Sequence, residues 1–157
     1  MVFTDGPVAP GEGIVFGGPY PGFTAPSQPG EADKEALVQT HLKVFKEQVV
    51  AAQEFNPVLV NCHAIKDYFT EEMAEMFFKD VLAWQESNNY NVLHETHRKR
   101  FLHSPWMTRE FVKKFPGLKM VADLSHWVCV AETNPSDPDL TAVIENNAAM
   151  FRHTHCR

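Results

Sequence analysis

The chain has 157 residues, of which 44% are hydrophobic and 22% are charged, a composition ordinary for a globular domain with a sizeable core. Its formal net charge of −6 argues against a nucleic-acid or membrane-surface binder, because such partners are held by clustered positive charge. The three cysteines lack CxxC spacing, so they indicate neither a zinc knuckle nor a disulfide framework. No leader and no run of about 18 apolar residues is present, and we expect a cytoplasmic protein without nucleic-acid or membrane partners.

Residues 1–30 differ in composition from the rest of the chain. They hold seven of the eight glycines and six of the eleven prolines, which predicts an irregular lead-in without chemistry. From Glu31 the pattern becomes that of an amphipathic helix of about six turns that ends at Pro57. The sequence therefore predicts one folded domain over residues 31–157.

Short apolar runs alternate with helical patterns through this domain. Helices are predicted from Thr70 to the Ser87-Asn88-Asn89 stop, from Thr108 to about Lys114, and after a long loop from Pro138. Four strands are predicted to begin near Val58, Asn91, Leu118 and Ala148, at intervals of about 30 residues. A repeated strand-helix unit of this length means right-handed parallel crossovers and an α/β fold. A doubly wound sheet and a (β/α)8 barrel both fit, although no glycine-rich phosphate turn follows any strand.

Metal-competent side chains stand at the C-terminal end of every predicted strand. Active sites of parallel barrels are assembled at that end from residues distant in sequence, so a shared metal site is expected there. Such residues are individually more often structural, and the hypothesis depends on their recurrence. They are His63; Glu95 and His97; Asp123 and His126; and His153 and His155.

A site of carboxylates and imidazoles without thiolates suits Mn²⁺, Co²⁺, Mg²⁺ or Zn²⁺, and Mn²⁺ is preferred here. Such an ion polarises a sugar carbonyl and acidifies the adjacent C–H, and Glu95 is the candidate for moving that proton. Arg98 and Arg100 carry donors that suit a substrate phosphate, although their pattern favours solvated loop charges over a phosphate site. Trp106 and Trp127 are predicted to lie in loops near the site.

Five short motifs resemble the xylose isomerase-like barrel superfamily, especially its sugar phosphate isomerase/epimerase type. Their order and spacing carry the resemblance, which covers about residues 31–157. The motifs are Asn61-Cys62-His63, His94-Glu95-Thr96-His97-Arg98, Ser104-Pro105-Trp106, Asp123-Leu124-Ser125-His126-Trp127 and His153-Thr154-His155.

The resemblance implies a partial (β/α)8 TIM barrel with about four parallel strands. Sugar epimerases of that superfamily bind a divalent cation through Glu, Asp, His and a second Glu, and three residues match the first three positions in order. The implied metal ligands are Glu95, Asp123 and His155. By the same resemblance, His126 and Arg157 contact the substrate. His63, His97 and Arg98 are further candidate substrate residues because of their place at the strand ends.

Two departures from the family pattern shape the expected activity. The second glutamate, which is also the second acid/base, has no counterpart after His155, and about two opening strand-helix units are absent. We therefore expect a fragment with weak or no activity alone, and self-association through open barrel edges.

The leading hypothesis is a divalent-metal-dependent isomerase or epimerase of a sugar or sugar phosphate. One alternative is a metal-dependent phosphodiesterase like the endonuclease IV type, which gathers several metals with many histidines. The acidic net charge counts against that alternative, because grasping DNA requires a positive field. The other alternative is a truncated, non-catalytic family member.

Overall fold

The computed structural model describes residues 14–16 and 31–155, with side chains from residue 33 onward. Strands and helices alternate along this part of the chain. The strands are β1 (Ile14–Phe16), β2 (Val60–Cys62), β3 (Val92–Glu95), β4 (Met120–Ala122) and β5 (Phe151–Thr154). The helices are α1 (Glu31–Gln53), α2 (Glu71–Asn88), α3 (Pro105–Val112), α4 (Leu124–Ala131) and α5 (Pro138–Asn146).

The five strands form one parallel sheet in the order β1-β2-β3-β4-β5. Each strand therefore lies beside its successor in the chain. Because strand-helix-strand crossovers are right-handed, an unbroken order of this kind carries the connecting helices to the same face of the sheet. This arrangement is typical of a (β/α)8 barrel and unlike a doubly wound sheet, whose strand order reverses. The predicted α/β class is confirmed.

Helix α2 begins and ends as its sequence predicts, and α1 begins at Glu31 as predicted but ends at Gln53, before Pro57. The Thr70 hydroxyl accepts a hydrogen bond from Met73 N and caps α2, and Asn89 ends that helix in the left-handed conformation, at φ 54°. The apolar stripes of the two helices pack against each other and against the sheet, with the rings of Phe45 and Phe77 edge to face at 5.6 Å. These contacts fix the helical layer on one side of the strands.

Side chains of the strands alternate between the two faces of the sheet. Val60, Cys62, Val92 and Met120 belong to the apolar cluster formed with the helices. The residues next to these positions along each strand point to the opposite face, since strand side chains have a period of two. The face turned away from the helices therefore carries the odd-numbered positions of β2, β3 and β4.

Several predicted boundaries were wrong. Helix α3 starts at Pro105 rather than Thr108, because Ser104 accepts from Met107 N as the N-cap and proline suits the first helical turn. The loop predicted up to Asp137 contains helix α4, which begins directly after Asp123. The strand predicted at Ala148 begins at Phe151, after a 3-10 turn over Ala148–Met150.

The N-terminal lead-in also differs from the prediction at one place. Residues Ile14–Phe16 form β1, which pairs in parallel with Val60–Cys62 of β2. A strand of only three residues, between glycine-rich segments, is too short for its two-residue alternation to be recognised in the sequence. Helix α1 begins at Glu31, where the lead-in was predicted to end. Of the described helices, none is both long and apolar enough to cross a membrane.

Candidate metal centre

The C-terminal ends of β2 to β5 bring one group of ionisable side chains together. In the register of the sheet, Cys62 lies opposite His94, and Glu95 lies opposite Val121. Beyond the last pair of β4 and β5, the backbone N–H of His155 donates to the carbonyl of Ala122 at 3.0 Å. The next residues on the face away from the helices thus lie side by side at the C-terminal end of the sheet. They are His63, Glu95, Asp123 and His155.

Glu95, Asp123 and His155 form a compact set of ligand atoms. His155 Nδ1 lies 3.6 Å from Glu95 Oε2 and 3.8 Å from Asp123 Oδ2. One ligand atom from each of the three residues lies within 4.8 Å of the others. The carboxylate side chains are 1% and 0% exposed, whereas the imidazole is 26% exposed. The group is therefore a pocket with a buried acidic floor and a histidine at its edge.

The carboxylate of Glu95 is held by two hydrogen-bonding partners on the same oxygen. Asn61 Nδ2 donates to Oε2, and His63 Nε2 lies 2.9 Å from that atom. Burial would raise the pKa of Glu95, but the hydrogen bond and charge of His63, the Asn61 amide and the charge of His155 lower it to about 2. Glu95 is therefore a carboxylate at neutral pH, which is the form that ligates a cation.

The backbone of Asp123 is fixed to the end of the neighbouring strand by Thr96. The N–H of Asp123 donates to Thr96 Oγ1 at 3.0 Å, and that hydroxyl donates to the carbonyl of Asp123 at 3.2 Å. Ser125 donates its hydroxyl to Asp123 Oδ1. One buried threonine therefore locks the ends of β3 and β4 together immediately beside the two carboxylates.

A row of imidazoles adjoins the carboxylates. The ring of His97 lies 4.3 Å from the ring of His63 and 3.9 Å from the ring of His126. His126 Nε2 also lies 3.7 Å from Asp123 Oδ2. Burial lowers the pKa of His97, and positive charge on His63 and His126 lowers it further by repulsion. The lower pKa favours the neutral imidazole, which can ligate a metal. His63, Glu95 and His97 make a second set of ligand atoms within 4.8 Å of one another.

The remaining predicted site residues lie farther from this centre or outside the described part of the chain. Arg98 and His153 are exposed, and neither has a ligand atom in the two sets described above. Arg157, predicted to face the substrate, lies outside the described residues. Trp127 is not in a loop: it is fully buried in α4 and donates its indole N–H to the carbonyl of Leu102 at 3.1 Å.

Trp106 lies on a helix in the structure, and Arg100 lies beside Lys66. Trp106 is the second residue of α3 and is 39% exposed, so it is not in a loop either. The backbone of Arg100 bridges antiparallel to that of Lys66, and burial with the nearby charge of Arg100 lowers the pKa of Lys66. These two residues therefore form a basic pair.

Sequence reasoning missed two residues that hold the centre in place, Asn61 and Thr96. Both were part of the quoted motifs, yet neither was assigned a role. The period-two alternation of β2 puts Asn61 on the same face as His63, and that signal was available in the sequence. The hydroxyl of Thr96 bonds across strands, which only coordinates reveal.

An open cleft of about 680 Å³ lies at the other end of the strands, away from this chemistry. Its lining includes Gln85, Tyr90 and Asn91 before β3 and Lys119 before β4. Parallel barrels assemble their active sites at the C-terminal strand ends, and the carboxylates and imidazoles are gathered there. We therefore locate the functional site by its chemistry rather than by cleft size.

Comparison with known proteins identifies the fold. No protein-family model matches the chain, and no curated protein matches it. Among solved structures, it resembles AsbF of Bacillus anthracis, described as a probable 3-DHS dehydratase involved in petrobactin synthesis, with a TM-score of 0.54 and 17% identity. AsbF is a TIM barrel. The chain has the fold of a partial TIM barrel. The alignment covers 76% of this chain and 44% of AsbF, so the chain spans less than half the length of that protein.

Proposed function

We propose that the chain carries the metal centre of a divalent-metal-dependent isomerase or epimerase acting on a sugar or sugar phosphate. The observation that carries the proposal is the convergence of Glu95, Asp123 and His155, whose ligand atoms lie within 4.8 Å of one another. The three come from the ends of three successive strands. A likeness to a xylose isomerase-like barrel, AsbF, supports the superfamily only in its fold.

The chemistry of these residues fits a divalent cation. Glu95 and Asp123 are buried carboxylates, and the ion-pair partners described for them are the imidazoles of His63, His126 and His155. These imidazoles place nitrogen ligands beside the two buried carboxylates. A cation between the carboxylates would gain an oxygen ligand from each, and the mixed oxygen and nitrogen set suits Mn²⁺ best, with Co²⁺, Mg²⁺ and Zn²⁺ as alternatives.

The side chains around the cation define the proposed reaction. A bound divalent ion would supply Lewis-acid polarisation of the substrate carbonyl. Glu95, ionised at neutral pH, takes the proton from the carbon beside the carbonyl, the C–H electron pair forms a C=C bond, and the carbonyl electron pair moves onto its oxygen. In isomerisation the same carboxyl returns the proton to the former carbonyl carbon, while the hydroxyl proton of the first carbon passes to the former carbonyl oxygen. Epimerisation would need a second acid on the opposite face of the substrate. His97 and His126 present imidazole nitrogens that orient sugar hydroxyls. Dehydration, the probable activity of AsbF, is a related removal of a proton from carbon.

A second candidate function is metal-dependent phosphodiester cleavage of the endonuclease IV type. The second ligand set, His63, Glu95 and His97, favours it, because several metals held close together can clamp both oxygens of a phosphoryl transfer. The formal charge of −6 disfavours a DNA substrate. A non-catalytic member that keeps the ligands without turnover is the third candidate.

Calorimetric titration of the purified chain with Mn²⁺ tests the metal centre. We expect saturable binding by the wild type and at least a 100-fold weaker affinity in Glu95→Gln, which retains size but loses the charge. Glu47→Gln, on the exposed face of α1, is the matched control and should bind as wild type. One equivalent of Mn²⁺ supports the isomerase, and two equivalents favour the phosphodiesterase.

Solvent exchange separates the proposed activities. The Mn²⁺-loaded chain is incubated in D₂O with a ketose or ketose phosphate, and deuterium at the carbon beside the carbonyl is followed by NMR. Incorporation that needs both Mn²⁺ and Glu95 supports proton transfer, even without net turnover by the isolated chain. Cleavage of abasic-site DNA without exchange would instead select the phosphodiesterase, and metal binding with neither reaction would select the non-catalytic member.

A further inference from the structure

Asn61 lies in the middle of β2, and its side chain is buried on the same face as the metal-binding group. Asn61 is 1% exposed, and its neighbours Val60 and Cys62 pack with the helices on the other face. Asn61 lies opposite Leu93 in the sheet, so its amide reaches the side chain of Glu95, two residues farther along β3. The amide nitrogen donates to Oε2 of that carboxylate.

Three nitrogens converge on this one oxygen. Besides Asn61 Nδ2, His63 Nε2 lies 2.9 Å and His155 Nδ1 lies 3.6 Å from Glu95 Oε2. A carboxylate oxygen offers about two lone-pair directions, so it cannot serve three donors and a cation at once. An imidazole nitrogen can turn from donor to metal ligand, whereas an amide nitrogen can only donate. Asn61 is therefore the partner that remains when a cation or substrate displaces the imidazoles.

The oxygen of the Asn61 side-chain amide is not used for hydrogen bonding among the described residues. Oδ1 is buried and has no hydrogen-bond donor among the described residues. A buried carbonyl without a partner is destabilising, so an apolar side chain of similar size would suit the interior better. The donor nitrogen is the part of this side chain that the position uses.

We infer that Asn61 is a positioning residue for the metal centre: its amide fixes the orientation of the Glu95 carboxylate so that one lone pair of Oε2 stays directed at the cation. The inference rests on the proposed function. Partners that orient a metal ligand in this way typically contribute about 10- to 100-fold to metal affinity. The sequence alone assigned Asn61 no role, and in this proposal it acts through Glu95.

The test compares Asn61→Leu, which keeps the volume and removes the donor, with Cys62→Ala on the opposite face of the same strand. Mn²⁺ affinity is measured by calorimetry, and thermal midpoints are measured without metal. We expect Asn61→Leu to lose about 10- to 100-fold in affinity with little change in midpoint. Cys62→Ala should lower the midpoint without changing affinity, and Asn61→Gln, which keeps the amide, should recover part of the loss.

The outcomes separate this inference from the function on which it rests. If the wild type binds no Mn²⁺, both fail. If the wild type binds and Asn61→Leu binds equally well, or if Cys62→Ala loses as much affinity, the inference alone fails. If Asn61→Leu alone loses affinity, the inference stands.

A metal-free measurement tests the contact itself. The side-chain NH₂ protons of Asn61, assigned by their absence from the spectrum of Asn61→Leu, should include one that resonates downfield and exchanges slowly with solvent. In Glu95→Ala that signal should move upfield and exchange faster. An unchanged signal in Glu95→Ala would overturn the inference whatever the metal affinity.

Discussion

His155 Nδ1 lies 3.6 Å from Glu95 Oε2, although Glu95 is the last residue of β3 and His155 follows β5, with β4 between the two strands. The same nitrogen lies 3.8 Å from Asp123 Oδ2 on the intervening connection. The imidazole thus faces both buried carboxylates at once. It is the partly exposed side of the proposed centre, since the two carboxylate side chains are buried.

Replacing His155 by glutamine should weaken Mn²⁺ binding by about 10- to 100-fold, because one of three ligands is lost while both carboxylates remain. Affinity is measured by calorimetry and by the loss of the electron paramagnetic resonance signal of free Mn²⁺. His153→Gln is the matched control on the same strand, since His153 is exposed and outside the ligand set. Equal losses in the two variants would argue against the centre.

Replacing Thr96 by valine should destabilise the fold by about 1–3 kcal/mol, because the buried N–H and carbonyl of Asp123 lose their hydroxyl partner. Mn²⁺ affinity should fall as well, since the position of Asp123 depends on this bond. Urea denaturation and calorimetry measure the two effects. Thr40→Val on the exposed side of α1 removes a hydroxyl bonded to the carbonyl of Ala36 and should change stability by less than about 0.5 kcal/mol.

The stability of the chain should fall in mild acid because of His94. This imidazole is fully buried, stacked on Phe45 and bonded to Gln85, and burial lowers its pKa from 6.5 to about 3. The unfolded chain therefore binds the extra proton between these two values. The stability of the folded chain is unaffected by His94 above pH 6.5 and falls as the pH falls toward 3. The loss of stability reaches about 2 kcal/mol at pH 5.

Urea unfolding at pH 5 and pH 8 measures this effect. His94→Phe keeps the aromatic packing and removes the titrating group, so the difference in unfolding free energy between the two pH values should shrink by about 2 kcal/mol. Exposed His153→Gln should retain the wild-type difference. A His94→Phe variant with the full wild-type difference would refute the assignment.

Cys62 should resist alkylation in the folded chain. Burial, the largest effect, raises the pKa of its thiol to about 12, so the reactive thiolate is scarce at pH 8. Cys129 is exposed and serves as the internal control. Peptide mass spectrometry after iodoacetamide treatment should find Cys129 labelled and Cys62 unlabelled until urea is added. Equal labelling rates would contradict the buried position of β2.

Much of the fold was predictable because its signals are local. Helices α1 and α2 have long apolar stripes and clear end signals, and the strands β2, β3 and β4 are apolar runs close to where they were expected. Their spacing led to a parallel α/β fold, and their ends led to Glu95, Asp123 and His155. The sequence could group these residues only by assuming a sheet order, which the structure supplies.

The unpredicted features depend on contacts between distant segments. Strand β1 has three residues and is defined by pairing with β2, not by its own pattern. Helix α4 has valines and a tryptophan that suit a strand as well as a helix, and its tryptophan is buried against Leu102. Asn61 looks like a polar interruption of a strand until Glu95 is placed beside it.

The most direct test of the central claim is a crystal of the chain grown with Mn²⁺, with anomalous diffraction recorded at the manganese absorption edge. We predict one anomalous peak bounded by Glu95, Asp123 and His155, at about 2.0–2.3 Å from an oxygen of each carboxylate and from the imidazole nitrogen. A peak elsewhere, or a map in which Mn²⁺ is bound by none of these three side chains, would contradict it.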